Sequence, residues 1–132
     1  MAVDPRLRRL AARPSTGRRA EELAVNLLLG LGLRIVARNW RRPEGELDLV
    51  AEDAGTCVFV EVRSRTGTNQ GHPLESITAR KRAQIIRAAR LYLDSEPAQA
   101  SAYRFDVVGV TFPEEGGEPT LLHIPNAFDL NG

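Results

Sequence analysis

Several residue types are scarce in this sequence, and each scarcity excludes a class of site. The 132 residues include one cysteine and two histidines. A lone Cys57 excludes a disulfide framework and a zinc site built from cysteines. His72 and His123 are too far apart in sequence for a local metal motif. We expect His72, which lies between a glycine and a proline, to be exposed, and His123, in the last predicted strand, to be structural.

Long apolar runs are also missing. The most apolar stretch, residues 27–37, is interrupted by two glycines and an arginine and is too short to span a bilayer. No uninterrupted apolar segment of the kind found in signal peptides follows the basic N-terminus. We therefore expect a cytoplasmic protein with no membrane partner. The composition, 42% hydrophobic and 27% charged, is typical of one globular domain and excludes a fibre or a disordered tail.

Lysine is nearly absent, because 17 of the 18 basic residues are arginine and only Lys81 is lysine. The net charge is +1, which by itself does not indicate a nucleic-acid partner. Six arginines do lie within the first nineteen residues, Arg18 and Arg19 among them. Such a basic arm could contact phosphates, although a solvated terminus would have the same composition.

The hydrophobic pattern predicts two helices and five strands in the order α-β-β-β-α-β-β. Three strands joined by short turns form an antiparallel meander, and the helical crossover between the third and fourth strands permits a parallel pair. We therefore expect an α/β fold with a mixed sheet flanked by helices. The predicted helices cover 16–29 and 77–93, and the predicted strands cover 33–39, 46–51, 57–65, 103–112 and 120–124. The predicted organisation is a flexible basic arm (1–15), one domain (16–125) and a tail (126–132).

The third predicted strand carries charges in an apolar context. Alternation places Val58, Val60 and Val62 on one face, and Glu61 and Arg63 on the other. A buried carboxylate is costly unless it is paired or bound to a metal. The simplest alternative is an ion pair between Glu61 and Arg63 at an exposed strand end.

A second carboxylate falls near the first. If the hairpin turn centres near residues 53–54, Asp48 lies across from about Val60 and within reach of Glu61. Two carboxylates on adjacent strands repel each other, and a hard divalent cation is the usual way to keep both ionised. Such a cation binds phosphate oxygens and lowers the pKa of a bound water, as phosphodiester hydrolysis requires.

The helices add further candidates. Glu21 lies on the apolar side of the first helix, where it could join the site or simply favour the helix dipole. Lys81 and Gln84 fall on the sheet-facing side of the second helix, near its N-terminal end. Arg80 and Arg87 belong to a basic stripe that could equally be a solvated face.

The segments together resemble a known family. Gly45-Glu46-Leu47-Asp48, twelve residues and Glu61-Val62-Arg63 resemble the core motif of the PD-(D/E)XK nuclease superfamily. More closely, the chain resembles the YraN-like family of uncharacterised bacterial proteins over about residues 16–112. The matching pieces are AEELA (20–24), RN (38–39), GELDLVAED (45–53), VFVEVRSR (58–65), Lys81 and RFDVVGV (104–110).

The resemblance implies a restriction-endonuclease-like core, and a role for each matching residue. Asp48 and Glu61 would ligate Mg²⁺ or Mn²⁺, with Glu21 as a further ligand, as in Holliday-junction resolvase-like members. Lys81 or Gln84 would approach the site from the second helix. The substrate would be DNA, in a branched or flapped form, and a homodimer is one implied assembly. The arginines expected to contact nucleic acid are Arg18, Arg19, Arg65, Arg80 and Arg87.

One position departs from the superfamily pattern, because Arg63 stands where a lysine is usual. A guanidinium can stabilise charge on a phosphate, but it does not lose its proton at neutral pH and so cannot act as a base. Lys81 could supply the missing ammonium. Three interpretations follow: a metal-dependent nuclease, a nucleic-acid-binding module with a degenerate site, or an interaction domain that uses the fold alone.

Overall fold

The computed structural model describes residues 16–67, 71–96 and 102–130. The predicted arm (1–15) and the last two residues of the predicted tail lie outside the described residues. Two α-helices, five strands and a short 3₁₀ helix occupy the described part of the chain. In chain order they are α1 (Thr16–Gly30), β1 (Arg34–Arg42), β2 (Gly45–Asp53), β3 (Thr56–Thr66), the 3₁₀ helix (Pro73–Ser76), α2 (Ala79–Ser95), β4 (Ala102–Phe112) and β5 (Thr120–Phe128).

The five strands form one mixed sheet in the order β1-β2-β3-β4-β5. The pairs β1–β2, β2–β3 and β4–β5 are antiparallel, whereas β3 and β4 pair in parallel from Thr56 to Thr66. The parallel pair requires a crossover, which α2 provides. The predicted element order and mixed sheet are therefore confirmed.

Each face of the sheet is covered by one helix. Ala20, Ala24 and Leu28 follow helical spacing on α1 and are fully buried against one face. On the opposite face, Ile85 and Ala88 of α2 are buried in a separate apolar cluster. Neither helix in the described part of the chain is both long and apolar enough to cross a membrane.

Tight turns set the register of the meander. The β2–β3 turn centres on Ala54 and Gly55, which both have positive φ (48° and 89°), as a two-residue hairpin turn of the primed type requires. The turn is thus slightly later than predicted, and Leu49 rather than Asp48 pairs with Val60. β1 is longer than predicted and continues to Arg42.

The ends of two other predicted elements were wrong, and one short helix was not predicted. β5 continues past Pro125 to Phe128, because an edge strand tolerates proline and Phe128 pairs with Phe105 in the core. α2 begins at Ala79 rather than at residue 77, since the Thr78 hydroxyl caps it by accepting the Lys81 N–H at 3.1 Å. Residues Pro73–Ser76 form a 3₁₀ helix just before α2, which the loop prediction for 66–73 did not include.

Candidate functional site

The β2–β3 hairpin brings two acidic side chains together. Leu49 pairs with Val60, so the next residue toward the start of β2, Asp48, lies level with Glu61. Here Asp48 Oδ2 accepts the backbone N–H of Val62 at 2.9 Å, which fixes the carboxylate against β3. The side chains of Asp48 and Glu61 also interact directly by charge and hydrogen bonding. The predicted proximity of these two residues is therefore present in the fold.

Glu61 is a buried acid in an apolar setting. It is 5% exposed and follows Phe59 and Val60, which are core residues. Burial and the nearby Asp48 carboxylate raise the pKa of Glu61 from 4.5 to about 8, against the opposing effect of two cations. At neutral pH the Glu61 carboxyl therefore retains a proton that it can share with Asp48. The predicted ion pair with Arg63 is present at 3.5 Å, but Glu61 is buried rather than at an exposed strand end.

The two opposing cations come from different elements. Lys81 of α2 places its Nζ 3.8 Å from Glu61 Oε1 and keeps about a third of its side chain exposed. Arg63 of β3 places its Nη1 3.5 Å from the same oxygen. Both predicted cations thus reach the carboxylate pair, and both lower the pKa of Glu61.

Arg63 also has a second set of contacts. Its Nε donates to Ser76 Oγ at 3.0 Å, and its Nη2 donates to the Ser76 carbonyl oxygen at 3.3 Å. These bonds fasten the 3₁₀ helix to β3. Most hydrogen bonds of the Arg63 guanidinium therefore join β3 to the 3₁₀ helix. The Lys81 ammonium, by contrast, lies beside Glu61 on a side chain that is partly exposed to solvent.

Glu21 lies on α1, in the helical layer on the opposite face of the sheet from Lys81. It is half-buried and accepts a hydrogen bond from Asn39 Nδ2 at 3.1 Å. Asn39 has a φ of 51°, and its neighbours Arg38 and Trp40 pair with Leu49 and Leu47, which places Asn39 level with Asp48. Within residues 16–67, 71–96 and 102–130, no group of three or more acidic, histidine or cysteine side chains is close enough to hold a metal ion.

Gln84 lies beside Lys81 in a cleft between α2 and the β1–β2 turn. The cleft has a volume of about 310 Å³, and its lining also includes Arg42 and Arg87. Arg80 is exposed one residue before Lys81. Of the arginines predicted to bind nucleic acid, Arg87 therefore lines the cleft beside Lys81, and Arg80 precedes Lys81 on the same helix.

The other predicted nucleic-acid contacts fall elsewhere. The Arg19 guanidinium stacks 4.8 Å from the centre of the Phe112 ring, on the α1 face. Arg65 donates to Thr111 Oγ1 at 3.0 Å and to the Gly71 carbonyl oxygen, where the parallel strands end. Arg18 precedes Arg19 in the first turn of α1. These three arginines do not line the cleft beside Lys81.

A second buried acid had no role in the sequence prediction. Asp106 is fully buried and receives hydrogen bonds from the Arg104 guanidinium at 3.0 and 3.3 Å and from the backbone N–H of Asn126 at 3.1 Å. His123 Nε2 lies 2.8 Å from Asp106 Oδ2, so the expected structural role of His123 fits its contacts. Arg104 also reaches Asp53 at 3.0 Å. The RFD segment (104–106) could have indicated an Arg104–Asp106 pair, but the other residues of the cluster are distant in sequence.

The remaining histidine behaves as expected. His72 is exposed, and its Nδ1 accepts the Leu74 N–H at 3.2 Å at the start of the 3₁₀ helix. It therefore caps a turn and lies outside the carboxylate pair.

Comparison with known sequences identifies the family. Residues 20–110 match the family described as "Uncharacterised protein family UPF0102". The chain belongs to this family. The YraN-like resemblance of the sequence is thereby confirmed, and the matched region contains the carboxylate pair, Lys81 and Asp106.

Curated members of UPF0102 resemble the chain along most of its length. A UPF0102 protein of Clavibacter michiganensis subsp. michiganensis is 47% identical over 111 residues, covering 84% of this chain and 93% of the relative. One from Nitratidesulfovibrio vulgaris is 45% identical over 119 residues, covering 90% and 87%. One from Nocardia farcinica is 42% identical over 128 residues, covering 97% and 100%. The bacterial relatives are thus similar in length to this chain.

Proposed function

We propose that this protein is a divalent-metal-dependent nuclease of the PD-(D/E)XK type, which hydrolyses phosphodiester bonds in DNA. The observation that carries the proposal is the convergence of Asp48 and Glu61 across one hairpin, with the Lys81 ammonium beside them. The α-β-β-β-α-β order, with the parallel β3–β4 pair beside the hairpin, fits a restriction-endonuclease-like core.

The donor set fits Mg²⁺ or Mn²⁺. Mg²⁺ is usually held by one or two carboxylates together with water and substrate phosphates, so Asp48 and Glu61 suffice as protein ligands. Burial and the Asp48 carboxylate raise the pKa of Glu61 to about 8, because two negative charges are disfavoured where these acids meet. A divalent cation would remove that repulsion. Glu21 would act through Asn39, which donates a hydrogen bond to Glu21 and lies level with Asp48.

Each side chain has a distinct task in the proposed reaction. The bound metal would supply an activated water and bind phosphate oxygens. Lys81 holds a positive charge beside Glu61 and can stabilise the negative charge that develops on the phosphate. Arg63 donates a hydrogen bond to Ser76, and its positive charge favours the ionised form of Glu61. It cannot act as a base, because its guanidinium does not lose a proton at neutral pH. Gln84 can donate a hydrogen bond to the substrate strand from the cleft.

A second function, nucleic-acid binding without cleavage, is favoured by one observation. Arg63 stands at the usual lysine position, and most of its hydrogen bonds go to Ser76 rather than to the site. If Lys81 does not replace the missing ammonium, the carboxylate pair would be a relic on a binding surface.

The decisive test is cleavage of labelled single-stranded, flapped and four-way-junction DNA, first with Mn²⁺ and then with Mg²⁺. We expect cleavage by the wild type, none in EDTA, and a rate at least about a hundredfold lower for Asp48→Asn and for Glu61→Gln. Calorimetric Mn²⁺ binding should be lost in both variants. Asp53→Asn, which removes a carboxylate from the same hairpin but outside the site, should cleave normally.

Other results would point to the second function. Gel shifts that survive Asp48→Asn and Glu61→Gln, with no cleavage of any substrate, would favour a binding module. Cleavage by an Arg63→Ala, Lys81→Ala double variant at the wild-type rate would remove both cations from the mechanism.

A further inference from the structure

The cleft beside Lys81 has walls from two parts of the chain. One wall is the turn between β1 and β2, and the other is the N-terminal half of α2. Gly45 allows the walls to meet closely, because a Cβ at this position would lie 3.0 Å from the Ala88 Cβ. The β1–β2 turn and α2 are therefore in close contact at Gly45.

Lys81 connects the cleft to the carboxylate pair. Its Nζ lies 3.8 Å from Glu61 Oε1, and the same side chain lines the cleft. A group bound in the cleft is thus a direct neighbour of a group bound at Asp48 and Glu61. The volume of about 310 Å³ is near the lower limit of the roughly 300–1,000 Å³ found for small-ligand sites. This space suits one unit of a single strand rather than a double helix.

Two arginines line the cleft, Arg42 at the end of β1 and Arg87 on α2. Arg42 is held in place because its guanidinium stacks 4.4 Å from the Trp40 ring. Its Nη1 donates to the Arg41 carbonyl oxygen at 2.7 Å, and its Nη2 lies 3.5 Å from Glu96 Oε1. Arg87 is exposed on α2 and has no ion pair with any other residue that the structure describes. A guanidinium fork matches the geometry of a phosphate. The pair therefore places two positive charges in the lining of the cleft.

Two glutamates moderate this positive charge. Glu46 Oε2 lies 3.5 Å from Arg41 Nε, so its charge is partly balanced. Glu44 is exposed in the β1–β2 turn, and no ion pair with another described residue offsets its charge. Its negative charge would oppose a bound phosphate. Removing Glu44 should therefore strengthen binding, an effect that a folding defect cannot produce.

We propose that this cleft binds a single-stranded polynucleotide, with Arg42 and Arg87 holding the phosphate next to the one at Asp48 and Glu61. The proposal rests on the nuclease function above and specifies its substrate as a single-stranded segment or flap. Arg42 and Arg87 act as strand-positioning residues in this arrangement, and Lys81 stands between the two phosphate positions.

The test measures binding separately from cleavage. Fluorescence anisotropy with labelled single-stranded DNA and RNA of one sequence, in EDTA and over a salt series, gives the affinity and its salt dependence. We expect Arg42→Gln and Arg87→Gln each to weaken binding about tenfold at low salt and to reduce the salt slope by about 0.7. Glu44→Gln should tighten binding about two- to fivefold. A blunt duplex of the same sequence should bind less tightly than the single strand.

Arg34→Gln is the matched control, because Arg34 is an exposed arginine on the same strand as Arg42 and also pairs with a glutamate, Glu52. It should change affinity less than about twofold. If Arg42→Gln and Arg87→Gln resemble Arg34→Gln, or if the wild type binds neither single strand, the cleft proposal is wrong. Cleavage that persists in those variants would leave the nuclease function standing. Single-strand binding that depends on the cleft, without any metal-dependent cleavage, would instead refute the nuclease function alone.

Discussion

Two buried acids in this protein have opposite surroundings. Asp106 is fully buried, and an arginine, a histidine and a backbone N–H all hydrogen-bond to its carboxylate. Glu61 is almost as buried, but another acid lies beside it and its two cations are 3.5 and 3.8 Å away. The hydrogen-bonding capacity of Asp106 is met within the fold, whereas Glu61 is held in a position that disfavours its charge.

The difference separates a structural acid from a candidate functional one. Burial lowers the pKa of Arg104, but hydrogen bonds and attraction from Asp106 and Asp53 outweigh this effect and raise it. The cluster joins β4 to the β2–β3 hairpin and to β5. At Glu61, burial raises the pKa to about 8. A perturbed acid beside an open cleft is a common feature of functional sites.

The largest expected effect is on the structural acid. Asp106→Ala should lower the free energy of unfolding by about 3–5 kcal/mol, because it leaves the Arg104 charge and the His123 ring without their buried partner. Urea unfolding monitored by circular dichroism measures this change. Asp53→Ala removes the more exposed partner of the same arginine and should cost less than about 1 kcal/mol. Equal losses in the two variants would contradict the structural role assigned to the buried Asp106.

An intermediate effect concerns pH. The pKa of Glu61 is about 8 in the folded protein against 4.5 for an ordinary glutamate, so the unfolded chain loses this proton first. The stabilising contribution of protonated Glu61 is complete below about pH 4.5 and is lost as the pH rises to about 8. In EDTA, the free energy of unfolding should therefore fall by up to about 1.4 kcal/mol per pH unit in this window.

Glu61→Gln should abolish this part of the pH dependence, and saturating Mg²⁺ should reduce it in the wild type. Glu118→Gln, an exposed control, should keep the wild-type slope. Identical slopes for Glu61→Gln and the wild type would show that Glu61 titrates normally.

The smallest expected effect is the contribution of Lys81 to the pKa of Glu61. Lys81→Gln removes a positive charge 3.8 Å from Glu61 Oε1 and should raise the pKa of Glu61 by less than about one pH unit. Carbon-13 NMR of labelled glutamate carboxyl groups follows this titration directly. Arg80→Gln, at the neighbouring exposed position, should leave it unchanged. An unchanged titration in Lys81→Gln would separate Lys81 from the carboxylate pair.

Local patterns were sufficient to predict one half of the candidate site. Alternation in β3 and a short turn bring Asp48 near Glu61, since both residues belong to one hairpin. The contacts of Arg63 with Ser76 were missed because they depend on a 3₁₀ helix within a segment of loop-like composition. The Asp106 cluster was missed because its partners come from three strands, which only the folded sheet brings together.

The helical crossover between the parallel strands has a consequence for how such a site can diversify. The acids lie within residues 45–61, and their alignment requires only a two-residue turn. By contrast, α2, in the crossover between β3 and β4, carries Lys81, Gln84 and Arg87. Substitutions on α2 can therefore change the positive charges beside the carboxylate pair, while the acidic hairpin keeps its register. The hairpin thus fixes the positions of the two acids, and the crossover determines which side chains lie beside them.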